Sequence, residues 1–232
     1  MTGEHSSKQY DHELEAIRSK VLLMGGMVET AFDEALEAFR VGDAARAERV
    51  ILDDQAVNQL EVQLDDACSH LIVRRQPTAN DLRTVMATIK VITDLERIGD
   101  EAAKIARTAK NLHERGGVVF AHYDMVRTIA KGTVDLLHNA LDAFARLDGR
   151  QALELIAADE VIDHEFRTIL RNLITFMMED PRTISSALDT LWVAKAIERI
   201  GDHAKNIAEY VIYVVEGRDI RHSKPVASEP AA

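Results

Sequence analysis

On a helical wheel of about 100° per residue, Val85, Ile89, Ile92, Gly99 and Ala103 fall on one face. That is the pattern of a helix with one apolar stripe. Breaks in the chain predict six such helices. Residues 11–41 form the first, which closes near Gly42-Asp43, and residues 43–75 form the second. Pro77 ends it, because proline disfavours helical geometry in the residue before it. Thr78 or Asn80 offers the N-cap of a third helix that runs to residue 114. Residues 124–147, 148–178 and 181–216 follow the same plan. Asp180-Pro181 supplies a cap and then a proline at the first helical position, where its missing N–H costs nothing. Three antiparallel helices bury one another's apolar faces, so each set of three reads as a three-helix bundle.

The two sets are copies of one unit. Ala35-Leu36-Glu37-Ala38-Phe39 is echoed by Ala140-Leu141-Asp142-Ala143-Phe144, and Glu96-Arg97-Ile98-Gly99-Asp100 recurs identically as Glu198-Arg199-Ile200-Gly201-Asp202. The predicted organisation is all-α: a polar N-terminal arm (1–10), a first bundle (11–115), a second bundle (116–221) joined at Gly116-Gly117, and a polar, proline-containing tail (222–232). Four prolines in 232 residues suit long helices better than a turn-rich β fold, and scarce aromatics make the core mainly aliphatic.

A net charge of −11 sets the electrostatics. The chain should repel nucleic acid and anionic lipid, and attract cations or a partner with a basic face. Its one cysteine, Cys68, cannot form an internal disulfide and reads as a small core residue. The N-terminus lacks an apolar signal region, and no apolar run nears the roughly 20 residues of a membrane span. A soluble, cytoplasmic protein is expected, one that meets membranes only through partners. Trp192 is expected to pack in the core.

The repeated motif carries the chemistry. Glu96 and Asp100 lie about 40° apart on the apolar face of the third helix, and Glu198 and Asp202 repeat them on the sixth. Like charges at this spacing repel, and a mid-helix glycine costs about 1 kcal/mol against alanine. The same unfavourable set in both halves asks for a cause. A multivalent cation supplies one, since carboxylate oxygens suit Mg, Mn, Ca or Fe, with Gly99 and Gly201 leaving room for a cluster. Salt bridges from these glutamates to arginines across the bundle supply another, and spacing leaves both open. Glu61 and Asp65 share the spacing on the second helix. Phe166 and Leu170 stand at their copies, but Asp163, at the place of Asn58, could serve instead. There is no Glu-x-x-His pair of the di-iron type, no phosphate-binding glycine loop, no Cys-x-x-Cys and no nucleophile–histidine constellation, so no enzyme activity is expected.

The doubled Glu-Arg-Ile-Gly-Asp, each copy on the third helix of a unit, resembles the Glu/Asp-x-x-x-Asp motif of the PhoU family, accessory proteins of the phosphate-specific transport system. Leu23-Met24-Gly25-Gly26-Met27-Val28-Glu29, residues 74–83 and residues 177–184 agree with the same family. The resemblance implies two pseudo-twofold-related three-helix bundles, often in a homodimer. It implies a cytoplasmic negative regulator of the phosphate-starvation response and of phosphate uptake. Such a regulator links the ATP-binding subunit of the phosphate-specific ABC transporter to the sensor histidine kinase of the phosphate regulon. Carried over by position, multinuclear clusters of iron, zinc, manganese or magnesium would sit on Glu96, Asp100, Glu198 and Asp202. A metal-dependent helical-bundle hydrolase or oxidase, and a metal store, are the competing functions.

Overall fold

In a computed structural model of the chain, residues 2–115 and 123–220 are described. They form α1 (Thr2–Val41), α2 (Ala44–Arg75), α3 (Ala79–Glu114), α4 (Tyr123–Arg146), α5 (Gly149–Glu179) and α6 (Ile184–Glu216), with a 3₁₀ turn at Pro181–Thr183 before α6. Helix α1 begins at Thr2, ahead of the expected Asp11, so residues 2–10 of the expected polar arm (1–10) continue the helix. The Gly116-Gly117 junction and the tail 222–232 lie outside the described residues.

The helix–helix turns are copies, like the helices. Asp43 caps α2 by accepting from the Arg46 N–H at 2.9 Å, and Asp148 caps α5 by accepting from the Arg150 and Gln151 N–H groups at 3.0 Å each. Each aspartate donates its own N–H to the alanine five residues back, Ala38 or Ala143. The preceding residue must adopt a positive φ, 71° at Gly42 and 52° at Leu147. Glycine does this at no steric cost, whereas leucine does it under local strain. At the start of α3, Thr78 is the cap residue by position. Its hydroxyl donates to Asp81 at 2.8 Å instead of closing the helix, and Asn80 lies inside α3.

Helices α3 and α6 run antiparallel through the centre. Arg199 reaches Glu101, His203 and Asn206 reach Asp94, and Lys90 lies against Tyr210, so each advance along α3 is matched by a retreat along α6. Helices α1 and α2 cover α3, and α4 and α5 cover α6. A second seam joins α1 to α4, where Arg18 donates to the Ala145 carbonyl at 2.8 Å. Gly25 lies so close to Leu141 there that a Cβ would come within 2.8 Å of it. One core runs through both halves, from Phe32, Phe39 and Leu64 through Leu95, Ile98 and Ile105 to Ile200, Ile207 and Leu173. Alanines 102, 106, 204 and 208 on the seam helices are fully buried and let the backbones approach. Cys68 is free and buried in this core, and burial pushes its thiol up to about 11.

Replacing the fully buried Ile98 by alanine is expected to cost about 2–5 kcal/mol by cavity formation. Removing the cap with Asp148→Ala should cost about 1 kcal/mol. Urea midpoints at constant slope measure both.

Candidate functional site

The structure places both motif copies on the two central helices and adds an aspartate from the neighbouring helix to each. Gly99 faces α2, where a Cβ would come within 3.2 Å of Asp54 Oδ1 and 3.4 Å of Val57. Gly201 faces α5 in the same way, with Ile162 at 3.3 Å and Asp159 Oδ1 at 3.5 Å. The glycines therefore serve less to leave a void than to let a second helix bring in its own carboxylate. Asp54 and Asp159 were not anticipated from the motif. They stand 105 positions apart in the chain, the same interval that relates Asn58 to Asp163, and that interval is the signal that could have found them.

In the first half the carboxylates press on one another. Burial, and then Asp100, raise Glu96 above the ordinary carboxylate value. Burial, and then Asp100, do the same to Asp54. Glu61 is raised by burial, then by Glu96 and Asp65. Glu61 thus joins the cluster. Asp65 is exposed one turn further along α2, and is raised by burial and by Asp66 rather than by the motif acids. The offsetting groups are outweighed: Arg97, mostly exposed, approaches its neighbour Glu96 at 3.4 Å, and Arg107 and Asn58 act on Asp54 without cancelling its rise. Asp54 Oδ1 and Asn58 Oδ1 are buried with no hydrogen-bond partner.

The second half is partly neutralised by lysines. Lys195 binds both oxygens of Glu198 at 2.6 and 2.7 Å, and Lys205 binds the buried Asp159 at 2.8 Å. Burial is the largest single influence and pulls Lys205 down, but the bond to Asp159 together with the charges of Asp159, Glu209 and Asp202 leaves Lys205 above its ordinary value. Asp163 pairs with Arg167 at 3.1 Å on the rim and adds to the field on Asp202. Burial, then Glu198 and Asp159, raise Asp202 to about 6. The arginine that crosses the seam does not serve the motif glutamates: Arg199 binds Glu101 at 2.9 Å.

A hard cation suits the first cluster by its donor chemistry and by the orphaned Asp54 Oδ1. Among the described residues, no three His, Cys, Asp or Glu side chains stand close enough to enclose a single ion. In the second cluster, ammonium groups already occupy both oxygens of Glu198 and Oδ2 of Asp159. Trp192, expected in the core, is 65% exposed. None of the described helices is long and apolar enough to cross a membrane.

The sequence model of the PhoU domain matches residues 21–109 and again 126–211, one copy on each bundle. The chain belongs to the PhoU family. It is 46% identical over 94% of its length to the phosphate-specific transport system accessory protein PhoU homolog of Pseudomonas aeruginosa, covering 90% of that protein. It is 45% identical over 95% of its length to the accessory protein PhoU of Escherichia coli K12, again covering 90%. The crystal structure of PhoU from Pseudomonas aeruginosa superposes with a TM-score of 0.87 at 45% identity, over 90% of this chain and all of that one. The phosphate transport system regulatory protein PhoU from Streptococcus pneumoniae superposes with 0.83 at 28% identity, over 90% and 98%. The PhoU fold, two three-helix units about a central seam, is thus shared at both levels of identity.

Asp202 yields a pH-dependent prediction. Its folded value lies above its unfolded one, so it favours the fold below about 4, and this contribution is lost as pH rises through about 6. In chelator-treated protein, Asp202→Asn should therefore raise stability at pH 7.5. The gain should shrink as pH falls from 6 towards 4. Because Asp202 also reaches solvent, the gain should be modest, about 0.5 kcal/mol. Thermal unfolding across that pH range measures it.

Proposed function

We propose that this chain is a non-catalytic regulator of phosphate transport, an accessory protein of the phosphate-specific transport system. The observation that carries this reading is kinship along almost the whole chain with proteins named for that role. On the finer reading, it acts in the cytoplasm as an adaptor. One partner is the ATP-binding subunit of the phosphate-specific ABC transporter, and the other is the sensor histidine kinase of the phosphate regulon. It restrains both uptake and the starvation response when phosphate is ample, and it works as a homodimer. Long, rigid helical faces suit such contacts. Deleting the gene is expected to derepress alkaline phosphatase in high phosphate, with the wild-type copy restoring repression. Unchanged repression in the deletion strain overturns the reading.

The reading includes a multivalent cation held by Glu96 and Asp100, with Asp54 and Glu61 beside them, and a second on Glu198 and Asp202. Bound there, it would neutralise carboxylates that otherwise repel one another. The buried, unpartnered Asp54 Oδ1 supports the first site more strongly, since lysines compete for the second. Elemental analysis of untagged protein purified without chelator should find near-integral metal. Asp100→Ala should lose more of it than Asp202→Ala. Equal absence of metal in all three proteins, with the fold intact, rejects the cation.

A further inference from the structure

Trp192 of α6 stands at one end of the α3–α6 seam, beside Arg107 and Thr108 of α3. Trp192 is the chain's only tryptophan and is 65% exposed. It ends a line on α6 at four-residue intervals, Ile184, Leu188 and Trp192, with the first two 42% and 40% exposed. Residues so spaced share one helix face. Single exposed apolar side chains are ordinary, but a continuous stripe ending in a large aromatic marks an interaction surface.

Beside Trp192, a groove of ≈ 350 Å³ opens between the helices, walled by Lys104, Arg107 and Thr108 of α3 and by Lys195 and Arg199 of α6. Two carboxylates meet these cations: Glu101 accepts from Lys104 and Arg199 at 2.9 Å each, and Glu198 accepts from Lys195. Asp54 also lies within the field of Arg107, and four cations against three carboxylates still leave the wall positive on a chain of net charge −11.

The duplication supplies an internal comparison. The repeat relates residues of α3 and α6 that stand 102 positions apart, so the other end of the seam holds Lys90 in place of Trp192 and Tyr210 in place of Thr108. That end also has a groove, of ≈ 530 Å³, but Glu209 stands there at the place of Arg107, and a lysine on tyrosines replaces the exposed indole. The Lys90 ammonium lies 5.5 and 5.7 Å from the Tyr210 and Tyr213 ring centroids, and the Arg83 guanidinium lies 5.7 Å from Tyr213. Asp94 accepts from His203 and Asn206 there. At the Trp192 end, no cation is paired with the indole among the described residues, and the apolar stripe runs on past the groove.

We infer that this surface docks an acidic, amphipathic helix of a protein partner, its apolar side chains covering Ile184, Leu188 and Trp192 and its carboxylates meeting Arg107 and the neighbouring cations. The i, i+4, i+8 anchors fit a helix laid in a groove, and an exposed tryptophan ringed by arginine and lysine has the make-up of a binding hot spot. The stripe spans about 12 Å at 1.5 Å per residue, mostly apolar, which exceeds what a nucleotide's base would cover. A second copy paired through this same face would set its cationic wall against an identical one, so like charges oppose self-pairing here, whichever face serves the homodimer. The inference rests on the adaptor reading and gives one of its contacts a chemistry.

Trp192 reports on its own site. Full-length protein is titrated with a synthetic amphipathic helical peptide of leucine and glutamate while tryptophan emission is followed. A saturable blue shift is expected, weakened about tenfold between low and high salt. Arg107→Glu, checked for an unchanged melting temperature, should weaken it by a similar factor, with Arg107→Gln as the milder variant if the charge reversal unfolds. The same peptide with lysine for glutamate should give no shift. No saturable shift, equal binding of the lysine peptide, or binding indifferent to both Arg107 variants overturns the inference. So does a blue shift on concentrating the protein alone, or saturation of the site by ATP. If the peptide fails to bind while the gene still restores phosphate repression, the docking surface is rejected and the adaptor reading stands. Peptide binding without restored repression does the reverse.

Discussion

Buried charge governs the α3–α6 seam. Asp94, Glu101, Asp159 and Glu198 are each at least nine-tenths buried, and a carboxylate in that position is tolerable only when it is paired. Each has found a partner: His203 and Asn206, Lys104 and Arg199, Lys205, and Lys195 respectively. Two of these pairings cross between the halves. They fix the register of α3 on α6 in a way that alanine and isoleucine packing, which tolerates sliding, would not. The outer helices then only need to cover the remaining faces.

Against that background the first motif cluster stands out. Asp54, Glu61, Glu96 and Asp100 gather in partial burial with Arg97 and Arg107 against them, and burial with the neighbouring carboxylates raises Asp54, Glu61 and Glu96 above the ordinary value. The second cluster has the same backbone plan but has taken two lysines into it. The copies have kept their geometry and diverged in charge. Duplicate sites in this fold therefore need not share one occupant or one affinity.

The helices, their order and the repeat were legible in the sequence because each is written locally. Gly42-Asp43 and Asp148 are turn and cap signals, Pro77 and Pro181 mark boundaries, and the Glu-Arg-Ile-Gly-Asp copies announce themselves. The start of α1 was misplaced because a polar stretch can extend a helix that is already nucleated further on. Asp54 and Asp159 were missed because their importance comes from a contact across helices through Gly99 and Gly201, and a motif on one helix does not reveal its neighbour. Trp192 was misjudged for the same kind of reason. A large apolar residue is assigned to the core by habit, and only the packing of α3 against α6 shows that its face of the helix is left uncovered.

A duplicated body with two equivalent ends would accept a partner in either of two orientations. Here one end of the seam sets Lys90 on Tyr210 and Tyr213 beside the acidic Glu209, and the other presents an exposed Trp192 beside a basic wall. The molecule therefore has a head and a tail despite its internal symmetry. Whatever reads the basic, tryptophan-bearing end meets one site per chain, in one orientation, so the valence of the assembly is set by chain copies rather than by repeats.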